Sequence, residues 1–149
     1  MINKKTIVAV SGGFDPLHIG HVSMFEEAKK LGDELVVIIN NDNWLRAKKG
    51  HAFMQQEERK AIIEALRCVD RVVITRHTEN PEDMSVVEAL REVGPDIFAN
   101  GGDRKKGNTP EGEVAKELNI KMVFNVGGGK AQSSSWLLGE FLNKHKDGK

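Results

Sequence analysis

The sequence predicts an α/β fold built on a doubly wound, five-stranded parallel sheet with helices on both faces. Short runs of β-branched residues alternate with helical patterns along the whole chain, as in successive βαβ units. Glycine-rich or polar clusters follow several of the strands, at the carboxyl edge where sheets of this kind bind ligands. Right-handed crossovers then place helices on the two faces, which is a Rossmann-like arrangement.

The first βαβ unit has the most regular pattern. A strand is predicted at 6–10 and a second at 34–40 (ELVVIIN), both rich in β-branched residues. Between them, a helix is predicted at 18–31 and ends before Gly32. Its expected apolar face consists of Val22, Phe25, Ala28 and Leu31.

The middle of the chain begins with a polar, lysine-bearing segment. It is predicted as a loop at 41–54, a length that usually indicates a functional or mobile segment. A helix at 55–66 and a short strand at 71–74 follow. The next helix is predicted at 81–93, because Asn80 is a good cap and a proline and two acids occupy the first turn.

The last third of the chain continues the alternation. Strands are predicted at 96–100 and 121–126, with a helix at 110–118 between them. A final helix follows the serine triplet at 133–135 and fades into a polar tail at 143–149 that is expected to fray. Its expected buried stripe consists of Trp136, Leu137, Leu138 and Phe141.

Length, charge and cysteine usage limit the classes of protein that fit. With 149 residues, the chain is expected to form a single domain over 1–142. Its 22 basic and 22 acidic residues balance, which argues against a nucleic-acid or anionic-membrane partner. No run of about 18 apolar residues indicates a membrane span, and the single Cys68 suits a reducing compartment. A cytoplasmic location is therefore expected.

A glycine-rich turn with two histidines (SGGFDPLHIGH) follows the first strand. Gly12 and Gly13 let the backbone approach a ligand, and the helix behind them offers N–H groups and the positive end of its dipole, which suits phosphate. His18 and His21 lie three residues apart on the first helical turn, with Gly20 leaving room between them. Imidazoles can hydrogen-bond, and when protonated neutralise, charge that develops on a phosphate oxygen.

Basic residues and serines supply further candidates for phosphate contacts. The segment after the second strand carries Lys49, together with Arg46 and Lys48. Arg59 lies in the first turn of the next helix, where a positive charge interacts unfavourably with the helix dipole. Arg59 therefore either binds a polyphosphate or is a plain surface arginine. The serines at 133–135 form either a simple N-cap or a second phosphate cradle.

Other site chemistries fit the pattern less well. Zinc requires three or four protein ligands, and neither Cys68 nor another histidine lies in a matching context. The G-x-G-x-x-G dinucleotide spacing and the Walker lysine and serine are both missing. His51, His77 and His145 are interpreted as solvated residues, and Asp15 as a helix cap or as the orienter of a histidine.

The sequence resembles the nucleotidylyltransferase superfamily marked by an HxGH motif, which is present as His18, Ile19, Gly20 and His21. Class I aminoacyl-tRNA synthetases share these letters but are far longer. The runs GGFDPLHIGH, LGDELVVIINND and EERKAIIEALRCVDRVV resemble glycerol-3-phosphate cytidylyltransferases and the adenylyltransferases that make ADP-heptose. The resemblance extends over roughly residues 6–140.

This resemblance implies roles for the residues at matching positions. His18 and His21 would stabilise the transition state, while Lys49, in a loop that closes over the site, and Arg59 would neutralise the triphosphate. A magnesium ion bridging the phosphates, with no metal ligand from the protein, and a homodimer are also implied. The nucleotide-binding residues implied are Gly12, Gly13, Phe14, Gly20, Gly102, Asp103, Gln132, Ser133, Ser134 and Ser135.

The implied reaction is transfer of CMP or AMP from CTP or ATP to a phosphorylated small polyol or sugar, with release of pyrophosphate. The resemblance does not decide whether the base of the nucleotide is cytosine or adenine, because three glycines and Lys130 occupy the positions where cytidylyltransferases usually have an arginine. Gly102 and Asp103 favour the heptose enzyme, whereas the stretch around Arg59 favours the glycerol enzyme. Phosphopantetheine and nicotinamide mononucleotide adenylyltransferases share other parts of the pattern. A non-catalytic nucleotide sensor is the alternative from another class.

Overall fold

A computed structural model describes residues 4–101, 109–127 and 134–147 of the chain. Within these ranges, five strands form one sheet in the order β3-β2-β1-β4-β5, and every neighbouring pair is parallel. The predicted Rossmann-like α/β fold is confirmed. The elements are β1 (Ile7–Gly12), α1 (Ile19–Lys29), β2 (Glu34–Ile39), α2 (Asp42–Lys49), α3 (Gln56–Glu64), β3 (Arg71–Ile74), α4 (Val87–Val93), β4 (Ile97–Ala99), α5 (Pro110–Leu118), β5 (Lys121–Val123) and α6 (Ser134–Asp147).

The strand order reverses at the central strand, β1. The chain builds β2 and β3 on one side of β1 and then crosses to build β4 and β5 on the other. Val8 accordingly pairs with Leu35 of β2 and with Ile97 of β4. The crevice at the carboxyl ends of β1 and β4 is therefore the place where sheets of this topology bind ligands.

Alternate residues of the central strands face two apolar layers. Val8 and Val10 of β1 pack in a layer with Phe25 and Ala28 of α1. Ala9 points to the opposite layer, which is built with α4 and α5. Helices therefore cover both faces of the sheet, and the strands are buried on both sides as in other parallel sheets.

The segment predicted as a loop at 41–54 contains a helix, α2. Asn41 caps this helix, because its side chain accepts the backbone N–H of Trp44 at 2.9 Å. Gly50 ends it in the left-handed conformation, with φ 85°. Leu45 is fully buried, whereas the basic residues of the last turn are exposed. A single fully buried leucine among basic residues gives no apolar period, so the prediction of a loop was wrong.

Helix α4 begins at Val87 rather than at the predicted position 81. Asn80 has a positive φ of 47°, and Asp83 accepts the backbone N–H of Ser85 at 2.8 Å. This local turn competes with helix formation. Carbonyl groups of the same segment also accept side-chain N–H groups from distant residues. Tertiary contacts therefore override the helix-start pattern.

Helix α6 differs from its prediction in both exposure and length. Trp136 and Phe141, expected in a buried stripe, are 54% and 55% exposed, while Leu137 and Leu138 are half-buried. The helix continues to Asp147, past residue 142, after which a polar tail was expected. Apolar periodicity indicates a helical face but not whether another part of the chain covers it.

The remaining elements agree with prediction to within a few residues. Strand β3 and helix α5 have the predicted bounds, and Thr109 caps α5 by accepting the N–H of Gly112 at 3.0 Å. Strands β4 and β5 are shorter than predicted. None of the helices in the described part of the chain is both long and apolar enough to cross a membrane.

Candidate active site

The turn from β1 into α1 is shaped by close packing around two glycines. A Cβ on Gly12 would lie 2.9 Å from the ring of Phe14, and a Cβ on Gly13 would lie 2.9 Å from Cδ2 of Leu45. A larger residue at either position would therefore force the buried side chain of Phe14 or of Leu45 to shift, so close packing favours glycine at both. From the sequence alone, the approach of a ligand was the only reason apparent for glycine at these two positions.

The two histidines of the HxGH motif form a reciprocal cap at the start of α1. Nδ1 of His18 accepts the backbone N–H of Gly20 at 3.1 Å, and Nδ1 of His21 accepts the backbone N–H of His18 at 3.2 Å. The rings stack with centroids 3.7 Å apart and an interplanar angle of 22°. Because a neutral imidazole that accepts at Nδ1 carries its proton on Nε2, the cap assigns the Nε2–H tautomer to both rings.

His21 is a neutral side chain in the free protein. Burial, the neighbouring His18 and the charge of Lys49 lower the pKa of His21 to about 3. Of the two roles open to this imidazole, donation of a hydrogen bond and neutralisation by a protonated ring, the lowered pKa favours donation. A neutral ring with its proton on Nε2 still donates a hydrogen bond, which does not require proton uptake.

The Phe14 side chain packs against the ring of His21. It is 4% exposed and packs edge-to-face against His21 and Phe25, with ring centroids 4.9 and 5.1 Å apart. Its φ of 52° places the residue in the left-handed region. Phe14 was expected among the nucleotide-binding residues, but its ring belongs to the apolar core, and only its backbone remains available to a ligand.

Helix α2 brings positive charge to the histidine pair. Lys49 lies in the exposed last turn of α2, together with Arg46 and Lys48. Its charge contributes to the lowered pKa of His21, which places the two side chains within electrostatic reach of each other. Lys49 therefore lies at the end of a helix, where the sequence predicted a loop.

Arg59 is buried beneath the site. Its side chain is fully enclosed, and its Nη2 donates to the carboxylate of Asp42 at 2.7 Å. Nη1 donates to the carbonyl oxygens of Gly13 and Asn40, both at 2.7 Å, and Nε donates to that of Met54 at 3.0 Å. Arg59 is therefore not a plain surface arginine. Its hydrogen bonds are made within the protein, so the predicted direct contact with a triphosphate gives way to an indirect role.

Asp15 connects the β1–α1 turn to the segment after α2. It is 1% exposed, and its carboxylate accepts the backbone N–H groups of Phe53 and Met54 at 2.6 and 2.7 Å. Asp15 thus neither caps α1, which His18 does, nor orients a histidine through any described hydrogen bond. The sequence could not reveal this role, because the partners lie 38 and 39 residues away.

The beginning of α6 lies against the same turn. Ser134 is buried, and its hydroxyl donates to the carbonyl oxygen of Pro16 at 2.8 Å. Ser135 is exposed at the first turn of the helix. The first and last helices therefore start close to each other, as the serine cradle requires. The predicted residues Gly102, Asp103, Gln132 and Ser133 lie outside the described residues.

The other histidines have different environments. His51 is exposed, as expected for a solvated residue, and the side chain of His145 lies outside the described part of the structure. His77 is half-buried, and both of its ring nitrogens form hydrogen bonds. The interpretation of His77 as an ordinary solvated residue was wrong.

Comparison with known proteins identifies relatives over most of the chain. The model of the cytidylyltransferase-like family matches residues 9–128. In an alignment of 152 positions, the chain is 33% identical to the bifunctional protein HldE of Syntrophotalea carbinolica. The alignment covers 97% of this chain but only 28% of that protein. It is 39% identical over 122 residues to the FAD synthase of Thermococcus sibiricus, a match that covers 80% of this chain and 79% of the relative.

Solved structures show the same fold. The lipopolysaccharide core biosynthesis protein from Thermoplasma volcanium has a TM-score of 0.67 at 33% identity, over 81% of this chain and 96% of that one. A pantoate-beta-alanine ligase from Francisella tularensis has a TM-score of 0.61 at 18% identity, over 97% of this chain and 71% of that one, a likeness that concerns the fold alone.

These matches agree with the resemblance inferred from the HxGH motif and its neighbouring segments. The motif lies inside the range matched by the family model, and these two relatives are 33% and 39% identical over most of the chain. The prediction of a nucleotidyltransferase domain is confirmed, and the chain belongs to the cytidylyltransferase-like family.

Proposed function

We propose that the chain transfers a nucleotidyl group from CTP or ATP to a phosphorylated small polyol or sugar. An oxygen of the acceptor phosphate attacks the α-phosphorus, and the bond from that phosphorus to the bridging oxygen breaks, so that pyrophosphate leaves. The acceptor phosphate is already an anion at neutral pH, so the reaction needs no nucleophile from the protein. Positioning and charge stabilisation are the remaining tasks.

The stacked pair of His18 and His21 is the observation that carries this proposal. Both rings are fixed in the Nε2–H tautomer by the cap at the start of α1, where the helix dipole is positive. A neutral donor such as His21 can stabilise negative charge on a phosphate oxygen as that charge develops. Lys49 supplies the full positive charge that the neutral imidazole does not.

The remaining groups of the proposed site bind the nucleotide or hold the site in place. The backbone at Gly12, Gly13 and Gly20 and the start of α6, with Ser134 and Ser135, are proposed to face the phosphates. Gly102, Asp103, Gln132 and Ser133 belong to the same proposal by their positions in the sequence. Arg59 and Asp15 act indirectly, by holding Gly13 and the backbone at residues 53–54.

A magnesium ion is proposed to bind with the triphosphate rather than to a dedicated protein site. The described residues contain no group of three or more His, Cys, Asp or Glu side chains that could hold a metal. Both carboxylate oxygens of Asp15 accept backbone N–H groups. Phosphate oxygens and water are ligands that magnesium prefers. When bound there, the ion would withdraw charge from the phosphates.

The identity of the acceptor is the open part of the proposal. The description of a solved structure as a lipopolysaccharide core biosynthesis protein favours a phosphorylated sugar, as does the resemblance of the sequence to the adenylyltransferases that make ADP-heptose. FAD synthase is the second candidate, favoured by 39% identity over comparable lengths, and it would require a flavin phosphate as acceptor and ATP as donor. A phosphopantetheine or nicotinamide mononucleotide acceptor remains the alternative within the same reaction class.

A screen for pyrophosphate release tests the activity. The full chain is incubated with each nucleoside triphosphate, magnesium and a panel of acceptors: phosphorylated sugars, phosphorylated polyols, flavin mononucleotide, phosphopantetheine and nicotinamide mononucleotide. Turnover with one pair identifies base and acceptor together. A non-catalytic sensor predicts thermal stabilisation by a nucleotide without pyrophosphate release from any pair.

Substitution of His21 tests the proposed role of the imidazole. We expect His21→Ala to lower kcat by about 10²–10³, the usual effect of removing one preorganised donor. His51→Ala is the matched control, because His51 is exposed, and it should leave kcat unchanged. If His21→Ala retained near-normal kcat while remaining folded by circular dichroism, the role assigned to His21 would be wrong.

A cytoplasmic location and a homodimer belong to the same proposal. They are supported by the single cysteine and by the resemblance to the family. Light scattering of the purified chain measures the oligomeric state, and a monomer at all concentrations would exclude the dimer.

A further inference from the structure

We propose that His77 is a positioning residue that fixes helix α2 and, through it, Lys49. The proposal rests on the proposed function, because Lys49 matters there as the charge beside the histidine pair. His77 lies just after the edge strand β3, two strands away from β1 in the sheet. No substrate contact is assigned to it.

The ring of His77 belongs to a chain of hydrogen bonds in which every donor and acceptor can be assigned. Nε2 lies 2.9 Å from the carbonyl oxygen of Ser85, which can only accept, so Nε2 carries the proton. Nδ1 lies 2.8 Å from the hydroxyl of Thr75 and therefore accepts its proton in the neutral ring. The Thr75 oxygen in turn accepts the backbone N–H of Asn41 at 3.0 Å. The N-cap of α2 is thus connected through the ring to the segment before α4.

The backbone of the same segment also contacts the first turn of α2. The carbonyl oxygen of His77 accepts the side-chain N–H groups of Asn41 and Asn43 at 2.8 and 2.9 Å. The indole N–H of Trp44 donates to the carbonyl oxygen of Met84 at 2.8 Å. Three successive contacts therefore attach one end of α2 to the segment 77–85. We call this set of hydrogen bonds the α2 clasp.

The clasp acts at one end of a helix whose other end carries Lys49. Lys49 lies eight positions after Asn41, a distance of roughly 12 Å along the helix at about 1.5 Å per residue. A tilt of roughly 10° about the clasp would therefore move Lys49 by about 2 Å. A misplacement of about 1 Å can cost about 10²-fold in rate.

The middle of α2 has a second contact, with the turn after β1. Leu45 is fully buried, and its Cδ2 would lie 2.9 Å from a Cβ at Gly13. This close packing fixes the distance between α2 and the turn, and the ion pair of Asp42 with Arg59 holds the first turn of the helix. The clasp adds contacts between that first turn and the segment 77–85, and these contacts restrict the tilt of α2.

Steady-state kinetics of His77→Ala test the proposal. We expect kcat to fall about 10-fold to 100-fold, with a change of less than about 3-fold in KM for the nucleotide, because Lys49 acts mainly on charge in the transition state. His77→Gln should recover most of the loss, because an amide N–H can still donate to Ser85. Thr78→Ala, an exposed change in the same segment, is the matched control and should match the wild-type chain.

A double-mutant cycle with Lys49→Ala shows whether His77 acts through Lys49. If it does, His77→Ala causes little further loss in the Lys49→Ala background. If the two losses multiply, or if His77→Ala stays within 2-fold of Thr78→Ala, the proposal is overturned. Should His77→Ala fail to fold, His77→Gln takes its place in the cycle, with an intermediate loss expected and full independence from Lys49→Ala overturning the proposal.

Amide hydrogen exchange separates this proposal from the proposed function. In His77→Ala, the amides of 45–49 should exchange faster than in Thr78→Ala, and this does not depend on any reaction. If the wild-type chain released no pyrophosphate but α2 exchanged faster in His77→Ala, the function would be wrong and the clasp would stand. Unchanged exchange across α2 would overturn the clasp in either case.

Discussion

At the scale of single residues, a buried guanidinium joins the structural parts of the candidate site. Arg59 donates to carbonyl oxygens at the ends of β1 and β2, to one in the segment before α3, and to the carboxylate of Asp42. A buried charge is stable only when it is paired and hydrogen-bonded, and four acceptors meet this requirement. Gly13 is thereby held in the position from which it could face a phosphate.

Replacement of Arg59 by lysine should destabilise the fold severely. A compact ammonium with three donors cannot reproduce the fork of the guanidinium, so buried acceptors are left without partners. We expect a loss of at least about 1–3 kcal/mol in the free energy of unfolding, the usual cost of leaving one buried group without its partner. Urea denaturation measures it. Arg71→Lys, at a half-exposed arginine 3.6 Å from Glu34, is the control and should change the free energy by less than about 0.5 kcal/mol. Equal midpoints for the two variants would contradict the assigned role of Arg59.

Buried polar residues with distant partners, such as Arg59, could not be predicted from the sequence. The position of the candidate site at the turn after β1 could be predicted, because glycines, histidines and a helix start lie within eleven consecutive residues. The roles of Asp15, Arg59 and His77 could not, because their partners lie up to 46 residues away in the chain. Whether such a side chain faces solvent or the interior depends on packing that no local pattern encodes.

At the scale of elements, α2 is a short helix stabilised at both ends. Its first turn has the Asn41 cap and the acid Asp42, and its last turn has three basic residues before Gly50. Both charge patterns are favourable to the helix dipole. The alternation of strands and helices was predictable from the sequence, whereas α2 was not, since a helix of eight residues depends on caps and tertiary contacts more than on periodicity.

The cap of α2 can be isolated by comparing two asparagines. Asn41 and Asn43 both donate to the carbonyl oxygen of His77, but only Asn41 also accepts the N–H of Trp44. We therefore expect Asn41→Ala to cost about 1 kcal/mol more than Asn43→Ala in the free energy of unfolding, the usual contribution of an N-cap. Urea denaturation of the two variants measures the difference. A difference near zero would show that α2 does not depend on its cap.

At the scale of the whole molecule, the carboxyl and amino edges of the sheet carry different kinds of residues. The carboxyl edge carries the histidine pair and the start of α6, whereas aspartates at the amino edge accept N–H groups at the beginnings of strands. Asp33 accepts from Thr6 at 2.8 Å, and Asp96 accepts from Ile7 at 2.8 Å. The residues proposed for chemistry are thus separated from these aspartates by the length of the strands, so changes at the amino edge should alter stability without altering the candidate site.

Asp70 is the amino-edge residue whose contribution should depend on pH. It accepts the N–H of Leu35 at 2.7 Å and pairs with Lys29 at 2.5 Å, so it joins α1 to β2. Although burial acts to raise the pKa of this carboxyl, the hydrogen bonds from Lys29 and Leu35 outweigh it and lower the pKa below its ordinary value of 3.8. A carboxyl with a lowered folded-state pKa stabilises the protein above the unfolded-state pKa and loses this effect as the pH falls through the folded-state pKa.

Asp70→Asn should therefore be less stable than the wild-type chain at pH 7 and approach it in acid. Because the pair is partly exposed, we expect a difference of at most about 1 kcal/mol in the free energy of unfolding at pH 7. It should begin to shrink as the pH falls below about 4, where Asp70 of the unfolded chain takes up a proton, and shrink further as the folded-state carboxyl is protonated at lower pH. Urea denaturation of both chains from pH 7 to pH 3 measures this convergence, and pyrophosphate release at pH 7 should be unchanged. A difference that stayed constant or grew towards pH 3 would show that the ionised carboxylate is not what stabilises the amino edge.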